Sequence, residues 1–280
     1  MPSVSKVKTA IAGLISRIMN IELDRIYNMD CLEGMRQMEA ESVDLTVTSP
    51  PYDNLRTYNG YCFDFEQFKK IAQQIARVLK QGGVCVWIVS DGVVNGSETG
   101  TSFRQALYFM ECGLSLYDTM IWEKPSPQAP TEGRYYDVFE YMFIICKGKK
   151  PSRLNFICDH VNVSAGHTSA RETRSCAEDR KPTGKTRVVK DVSRRFNVWQ
   201  VSRAGNGTGH HAIFPESLAA DHIRSWSNEG DIVLDPFMGS GTTAKVARAL
   251  GRHYIGFEIS AEYCDIINKR LEQTKTLFDL

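Results

Sequence analysis

The chain has eight cysteines in 280 residues, at 31, 62, 85, 112, 146, 158, 176 and 264, yet no C-x-x-C pair. That removes the usual spacing of a structural zinc site, and no metal is expected. Several of these cysteines sit in apolar runs, where a free thiol packs as a small core residue of a reducing compartment. No stretch is apolar for long enough to cross a bilayer, and residues 1–20 carry no signal-peptide cleavage pattern. The expectation is a cytoplasmic protein with no membrane contact. Charge of one sign is also lacking overall: 34 Lys/Arg face 33 Asp/Glu, a net charge of +1. A chain of this length can bury the core of one large α/β domain with an inserted lobe.

The charge is balanced only in sum. From Lys147 to Gly205 there are about fourteen Lys/Arg and five Asp/Glu, an excess near +9, which leaves the rest acidic by about eight. Such asymmetry is the electrostatic footprint of a nucleic-acid face, although a run of charge is also what any solvated surface carries. Within the stretch, 166–184 is poor in large apolar residues and reads as a loop, possible to order on a polyanion. Phe196-Asn197-Val198-Trp199 restores apolar character.

What is present begins with Thr48-Ser49-Pro50-Pro51-Tyr52, just past the alternating run Val43-Asp44-Leu45-Thr46-Val47. Two prolines cannot extend a central strand, so a stiff turn closes its carboxyl end. The turn offers the Ser49 hydroxyl, the Pro50 carbonyl and the Tyr52 ring. Together they suit a planar group carrying an exocyclic amine: two acceptors for its hydrogens and an aromatic face for its ring. Holding both hydrogens turns the nitrogen lone pair outward for attack, with no covalent enzyme intermediate. The bland alternative is a Pro-Pro turn ending a strand.

A second motif, Asp231-Ile-Val-Leu-Asp235-Pro-Phe237-Met-Gly239-Ser240-Gly241-Thr242-Thr-Ala-Lys245, reads as a short strand, a glycine-rich turn and a helix. Glycines let backbone approach a ligand, and the N–H groups opening a helix favour an anionic group. The next strand, from His253 to Phe257, ends in Glu258, where a carboxylate is placed to bind ribose hydroxyls. The turn also fits the loose G-x-G-x-x-[G/A] dinucleotide fingerprint. Against a nicotinamide nucleotide stand Asp235-Pro236 directly before the turn and Phe237 where a pyrophosphate loop wants a small residue. No Gly-Lys-Ser/Thr follows this turn at Walker spacing, which excludes that phosphate loop.

Taken as a pair, the Ser-Pro-Pro-Tyr and Asp-Pro-Phe-Met-Gly-Ser-Gly-Thr-Thr motifs resemble those of the amino-directed DNA methyltransferases. Their order, catalytic motif first and cofactor motif last, is similar to the circularly permuted group called β. The likeness runs from about Ile21 to Leu271. It implies a Rossmann-like α/β methyltransferase fold with an inserted target-recognition lobe, S-adenosyl-L-methionine as cofactor, and double-stranded DNA from which the target base is flipped out. The implied catalytic residues are Ser49, Pro50, Pro51 and Tyr52. The implied cofactor residues are Asp30, His210, Asp235, Phe237, Gly239, Ser240, Gly241, Thr242 and Glu258. Asp30 is equally well placed to cap a helix, and His210 could be a packed loop histidine. Trp122 matches an aromatic that helps hold the extruded base, or is a large core residue on a strand. Lys185, Arg187, Arg194 and Arg195 are the candidate DNA contacts. No Pro-Cys dipeptide exists, so the nucleophile of the C5-cytosine enzymes is missing. Members with Ser at the first motif position lean to the N4 amine of cytosine and those with Asp to the N6 amine of adenine, so cytosine is favoured. A protein that binds DNA and has lost catalysis is the competing class. A cognate restriction nuclease is a partner the family admits.

This divides the chain into an extension (1–20), a catalytic half (21–146), a recognition lobe (147–205) and a cofactor half (206–280). Residues 5–19 are weakly amphipathic and basic, either a packing or homodimer helix or a frayed extension. Residues 53–61 read as a mobile lid. Apolar spacing predicts helices from Cys31 to Met38, from Phe65 to Leu79 with a stop at Gly82-Gly83, from Ser102 to Met110 and from Glu216 to Trp226. Strands are expected at 21–30, 84–89, 117–122 and 141–146.

Overall fold

The computed structural model describes residues 21–51, 63–125, 133–172, 182–202 and 215–274, with side chains left out at 169–172 and 182–185. Two compact units emerge, a core of residues up to 155 and from 198 onward, and a lobe, Phe156–Asn197.

The core is built on one eight-stranded sheet. Its strands are β1 (Arg25–Asn28), β2 (Val43–Thr48), β3 (Leu79–Val89), β6 (Ser115–Glu123), β7 (Phe139–Cys146), β12 (Val198–Gln200), β13 (Ile232–Asp235) and β14 (His253–Glu258). A small hairpin, β4 (Val93–Val94) with β5 (Ser97–Glu98), follows β3. The order across the sheet is β1-β14-β13-β2-β3-β7-β6-β12, and every neighbour pairing is parallel except those of β7. Strands β2, β3 and β7 are buried along most of their length. Continuous apolar runs such as Val84–Val89 form because helices cover both faces, so neither can afford polar alternation.

Among the described residues six helices do the covering: α1 (Cys31–Gln37), α2 (Phe65–Val78), α3 (Thr101–Glu111), α4 (Glu216–Trp226), α5 (Thr242–Ala249) and α6 (Ala261–Glu272). Helices α1, α2 and α3 pack in series, as do α4, α5 and α6. On the first face Phe109 meets Phe68 and Trp87 edge-on, and Phe68 and Trp87 meet tilted, with centroids 5.2–5.6 Å apart. Helix α2 starts where Asp64 accepts from the Gln67 N–H at 2.7 Å, an N-cap that satisfies an otherwise orphaned donor.

Helix α2 ends at Val78, one residue short of the expected Leu79, and β3 begins at once, five residues before the expected strand start at Val84. Val78 and Leu79 are both fully buried, and turning to extended backbone at Leu79 keeps both inside. Gly82 instead serves a bulge in β3: its φ is +75°, and a Cβ there would lie 2.9 Å from the Ser152 backbone nitrogen. The first strand is shorter than expected, Arg25–Asn28.

Among its described residues the lobe contains two strand pairs, β8 (His160–Val161) with β11 (Val192–Ser193) and β9 (Thr168–Glu172) with β10 (Pro182–Val188), both antiparallel. It is smaller than the basic stretch 147–205. Asn155 is bonded to the end of α4 through the Arg224 and Ser227 carbonyls at 3.1 Å, and β12 extends the main sheet beside β6. Those hydrogen bonds hold both flanks in the core.

No helix among the described residues is long and apolar enough to cross a membrane. No cluster of three or more His, Cys, Asp or Glu suited to a metal ion occurs among them either.

Candidate active site

Strand order reverses between β13 and β2. From β13 the chain winds outward through β14, with β1 beyond it, and from β2 it winds the other way to β3. In open α/β sheets the crevice outside the carboxyl ends of the strands at such a switch point is where ligands bind. The sequence motifs converge there. Ser49, Pro50 and Pro51 follow β2, Asp235 ends β13 with the turn to Gly241 after it, Glu258 ends β14, and Asp30 stands just past β1.

Side chains tie the two motifs together. Thr48 Oγ1 donates to Asp235 Oδ1 at 2.6 Å, and Thr243 Oγ1 donates to the Val47 carbonyl at 3.2 Å. Asp235 Oδ1 also accepts from the Phe237 N–H at 3.0 Å, bending the chain into its turn. Burial pushes the Asp235 carboxyl up to about 6, against the opposing donors Thr48, Thr243 and Phe237. Asp235 is 1% exposed. The expected ligand is therefore a buried brace under the turn, its carboxylate engaged by the protein's own donors.

The turn is shaped from three sides. Gly241, the N-cap of α5, has φ +82° and no side-chain cap, and a Cβ there would sit 2.7 Å from Ile267 Cγ2. Gly239, φ +54°, donates its N–H to Glu258 Oε2 at 2.8 Å, while Glu258 Oε1 accepts from the Ser260 N–H at 2.8 Å. Burial raises the Glu258 carboxyl, against those backbone donors. Each carboxylate oxygen has a second lone pair, so holding the turn leaves capacity for a hydroxyl. Arg270 donates to the Ser240 carbonyl and also pairs with Glu216 at 2.8 Å; Lys245 meets the same carboxylate at 2.7 Å. Burial pushes the Glu216 carboxyl up, but the two cations outweigh it and hold it below its ordinary range.

Phe237 is partly buried, edge-on to Phe63 at 5.4 Å. Ser49 and Pro51 are half-buried and Pro50 is buried. Thr242, the first residue of α5, is buried, and its hydroxyl has no partner among the described residues. A polar, positive-φ turn at an uncapped helix start, with an unused buried hydroxyl, fits a ligand that brings an anionic group and further hydrogen-bonding atoms.

Other expected residues are placed differently. Asp30 is the N-cap of α1, its Oδ1 accepting from Leu32 and Glu33 N–H at 2.9 and 3.2 Å. Trp122 is 4% exposed and donates its indole N–H to the Val201 carbonyl at 2.8 Å. It packs here as the core residue of the two alternatives, locking β6 to the chain following β12. Tyr52, His210, residues 5–19 and the 53–61 loop lie outside the described residues. Of Lys185 only the backbone, in β10, is described. Arg187 is exposed, Arg194 lies over the Phe156 ring at 4.1 Å, and Arg195 is held by Asp159 through its Nε at 2.9 Å.

Motif reading did not anticipate Thr48, Thr243, Glu216, Lys245 and Arg270. Thr48, Thr243 and Lys245 lie inside the motifs themselves. Glu216 and Arg270 are ordinary helix-surface residues in the sequence, and no spacing marks them.

A doubly wound sheet with one antiparallel strand, and two motif-bearing turns meeting at its switch point, defines a Rossmann-like fold of the methyltransferase type. Residues 43–269 match the N6/N4 DNA methylase family, and the chain belongs to it: it is a DNA methyltransferase of the N4/N6 class. It is similar to the orphan methyltransferase M.BamHII of Bacillus amyloliquefaciens, 52% identical over 240 residues, 82% of this chain and 89% of that one. Among solved structures it resembles the PvuII DNA methyltransferase (cytosine-N4-specific), TM-score 0.64 at 21% identity over 91% and 95% of the two chains. It also resembles M1.HpyAVI in complex with SAM, TM-score 0.59 at 23% identity over 88% and 99%.

Proposed function

We propose that this protein transfers a methyl group from S-adenosyl-L-methionine to the exocyclic N4 amine of cytosine in duplex DNA. The observation that carries the reading is the meeting of the Ser49-Pro50-Pro51 turn with the Asp235–Gly241 turn across the switch point, fixed by the 2.6 Å Thr48–Asp235 bond.

The cofactor supplies an activated methyl group. For this chain, the residues to hold it are Phe237, Gly239, Ser240, Gly241 and Thr242 in the turn, with Glu258, Asp30 and His210. Ser240 and Thr242 present backbone N–H groups, and Thr242 a hydroxyl, at the start of α5, while the Gly241 N–H is engaged by the Met238 carbonyl at 2.8 Å. Phe237 offers an aromatic surface, and Glu258 keeps spare acceptor capacity toward hydroxyls. Asp235 and Arg270 act beneath, fixing the turn's shape.

On the substrate side, the base must leave the duplex stack, at a cost of a few kcal/mol. Ser49 Oγ and the Pro50 carbonyl accept the two amine hydrogens, and Tyr52 stacks on the ring. This aims the nitrogen lone pair and removes the need for a covalent intermediate. Positioning and charge placement then supply the rate. Pro50 has no N–H and Pro51 none after it, so the turn resists the rotations that would misdirect the Pro50 carbonyl. The basic stretch, with Lys185, Arg187 and Arg194, serves as target-recognition region, and the motif order is that of the β group.

Adenine N6 is the second reading, favoured by the family spanning both amines. Digestion of DNA methylated by the purified protein, with nucleoside mass spectrometry, separates them. N4-methylcytosine is the expected product. N6-methyladenine would keep the site and refute Ser49 as the selector of cytosine. Ser49→Ala should lower turnover at least tenfold while cofactor binding persists; unaltered turnover would remove its amine-holding role.

A further inference from the structure

In the lobe, Phe196 is 62% exposed, yet its ring is not loose. The His160 ring lies against it with centroids 4.0 Å apart and planes 38° apart. His160 belongs to β8, and Ser193, three residues before Phe196, pairs with it across the β8–β11 bridge. The backbone on either side of Phe196's support is fixed: the Arg195 N–H donates to the Ile157 carbonyl at 2.9 Å, and Arg195 is clamped on Asp159. Asn162 secures the same small scaffold, donating to the Lys190 carbonyl at 2.8 Å and accepting from Ser193 Oγ at 3.1 Å. A large apolar ring is thus held rigidly into solvent on a scaffold made of polar bonds.

Exposing a phenylalanine this way has a cost that burial would avoid, roughly 1.5–3 kcal/mol for a full side chain. The lobe could not repay it internally, since none of its described side chains is buried. The charge of the unit says what kind of partner suits the ring. Lys190, Arg187 and Arg194 are exposed in the same unit, and the unit carries nine Lys/Arg against five Asp/Glu. A positive surface with a prearranged aromatic face is complementary to a nucleic-acid strand, whose phosphates meet the cations while a base meets the ring.

We infer that Phe196, backed by His160, is the lobe's base-contacting residue, stacking on or wedging beside a base of bound DNA, while Arg187 and Arg194 contact phosphates. The inference rests on the DNA reading above and deepens it. It divides the lobe into a charge-reading part, indifferent to sequence, and a stacking part that acts only when bases are accessible or unstacked.

The test uses the full chain. The methylated site is first located by sequencing DNA from cells overproducing the protein. Duplexes carrying and lacking that site are then titrated at several salt concentrations with wild type, Phe196→Ala, Phe196→Trp and Arg194→Ala. Phe196→Ala should weaken binding to the site by about 5- to 100-fold, as expected for a lost stacking contact, without changing the slope of log affinity against log salt. Phe196→Trp should stay within about threefold of wild type, and its emission should change on adding the site duplex. Arg194→Ala should weaken both duplexes and lower the slope by about one. Phe196→Ala binding within twofold of wild type would overturn the proposal, as would a flat Phe196→Trp emission. So would a loss of self-association in Phe196→Ala with DNA affinity intact, since the ring would then lie between copies of the chain. If wild type itself binds no duplex while still binding S-adenosyl-L-methionine, the DNA reading fails and takes this one with it.

Discussion

In the core, β2, β3 and β7 are buried along most of their length, and Phe68, Trp87 and Phe109 are 0% exposed. In the lobe none of the described side chains is buried, and Phe196, Val161, Val163 and Val188 are more than half exposed. The core is held by removal of apolar surface from water, a force that is large and indifferent to direction. The lobe is held by backbone pairing, Asn162 and the Arg195–Asp159 pair, each directional and modest in net worth. The difference teaches where change is tolerated. A substitution in the core alters packing at close-packed density, whereas a lobe without a buried centre can alter its surface, and so what it contacts, with little cost to the fold.

The sharpest way to break this contrast is at the floor of the candidate cofactor turn. Gly241→Val must enter a positive φ and press a branched carbon onto Ile267, 2.7 Å from where a Cβ would stand. Strain and overpacking together should cost about 3 kcal/mol or more and abolish binding of S-adenosyl-L-methionine. Urea unfolding and calorimetry read the two effects; near-native values in both would mean the turn is not a rigid cradle.

Next is Thr48→Val, which keeps shape and removes the donor to buried Asp235. Leaving the carboxylate short of a partner should cost about 1–3 kcal/mol. Turnover should fall more than cofactor affinity, because the Ser49 turn loses its tie to the other motif. Equal loss in both would make Thr48 a fold residue only.

Acid offers a third probe, and the core contains two groups that oppose one another. His222 is fully buried, stacked on Trp199 at 4.6 Å and accepting from Trp226, and burial lowers its pKa to about 3. Its neutral form is required, so the stability it secures is complete above the ordinary value near 6.5 and is lost as pH falls toward 3. Between pH 6.5 and 5 that amounts to about 2 kcal/mol. Asp235 runs the other way. Its carboxyl, raised to about 6, takes up a proton more readily folded than unfolded, so falling pH relieves its penalty between 6 and 3.8. His222→Leu should therefore gain relative stability on going from pH 7 to 5, while Asp235→Asn should lose it. Parallel unfolding curves at the two pH values would refute both assignments.

Smallest should be the effects on folding in the lobe. Arg195→Ala breaks an exposed ion pair with Asp159 and should change stability by less than about 1 kcal/mol. Arg187→Ala should leave stability alone yet lower the salt slope of DNA binding by about one. A Tm drop of many degrees from either change would show that the lobe is tied as tightly as the core.

Much of the site was legible because its chemistry is local. A Pro-Pro turn after an apolar strand, or glycines between a strand and a helix, forms whatever surrounds it, since fixed φ and missing Cβ atoms act within a few residues. Helix α4, Glu216–Trp226, was legible to the residue from its apolar spacing. The start of β3 was not: glycines at 82–83 look like a break before the strand, but the burial of Val78 and Leu79 puts extended backbone at Leu79 already. Trp122 reads equally well as a base holder or a core residue, and only its indole bond to Val201, 79 residues on, distinguishes the two.

By itself, then, the sequence determined the two turns, the order in which they occur, the family and the basic stretch, because steric limits and charge counts belong to short segments. The tertiary structure decided which groups stand free and which are consumed. It turned Asp235 inward as a brace, and it bonded Lys245 and Arg270 to Glu216 across 29 and 54 residues of sequence, with Arg270 also holding the Ser240 carbonyl. Burial and hydrogen bonding between distant segments set those roles, and neither is written in the spacing of residues along a chain.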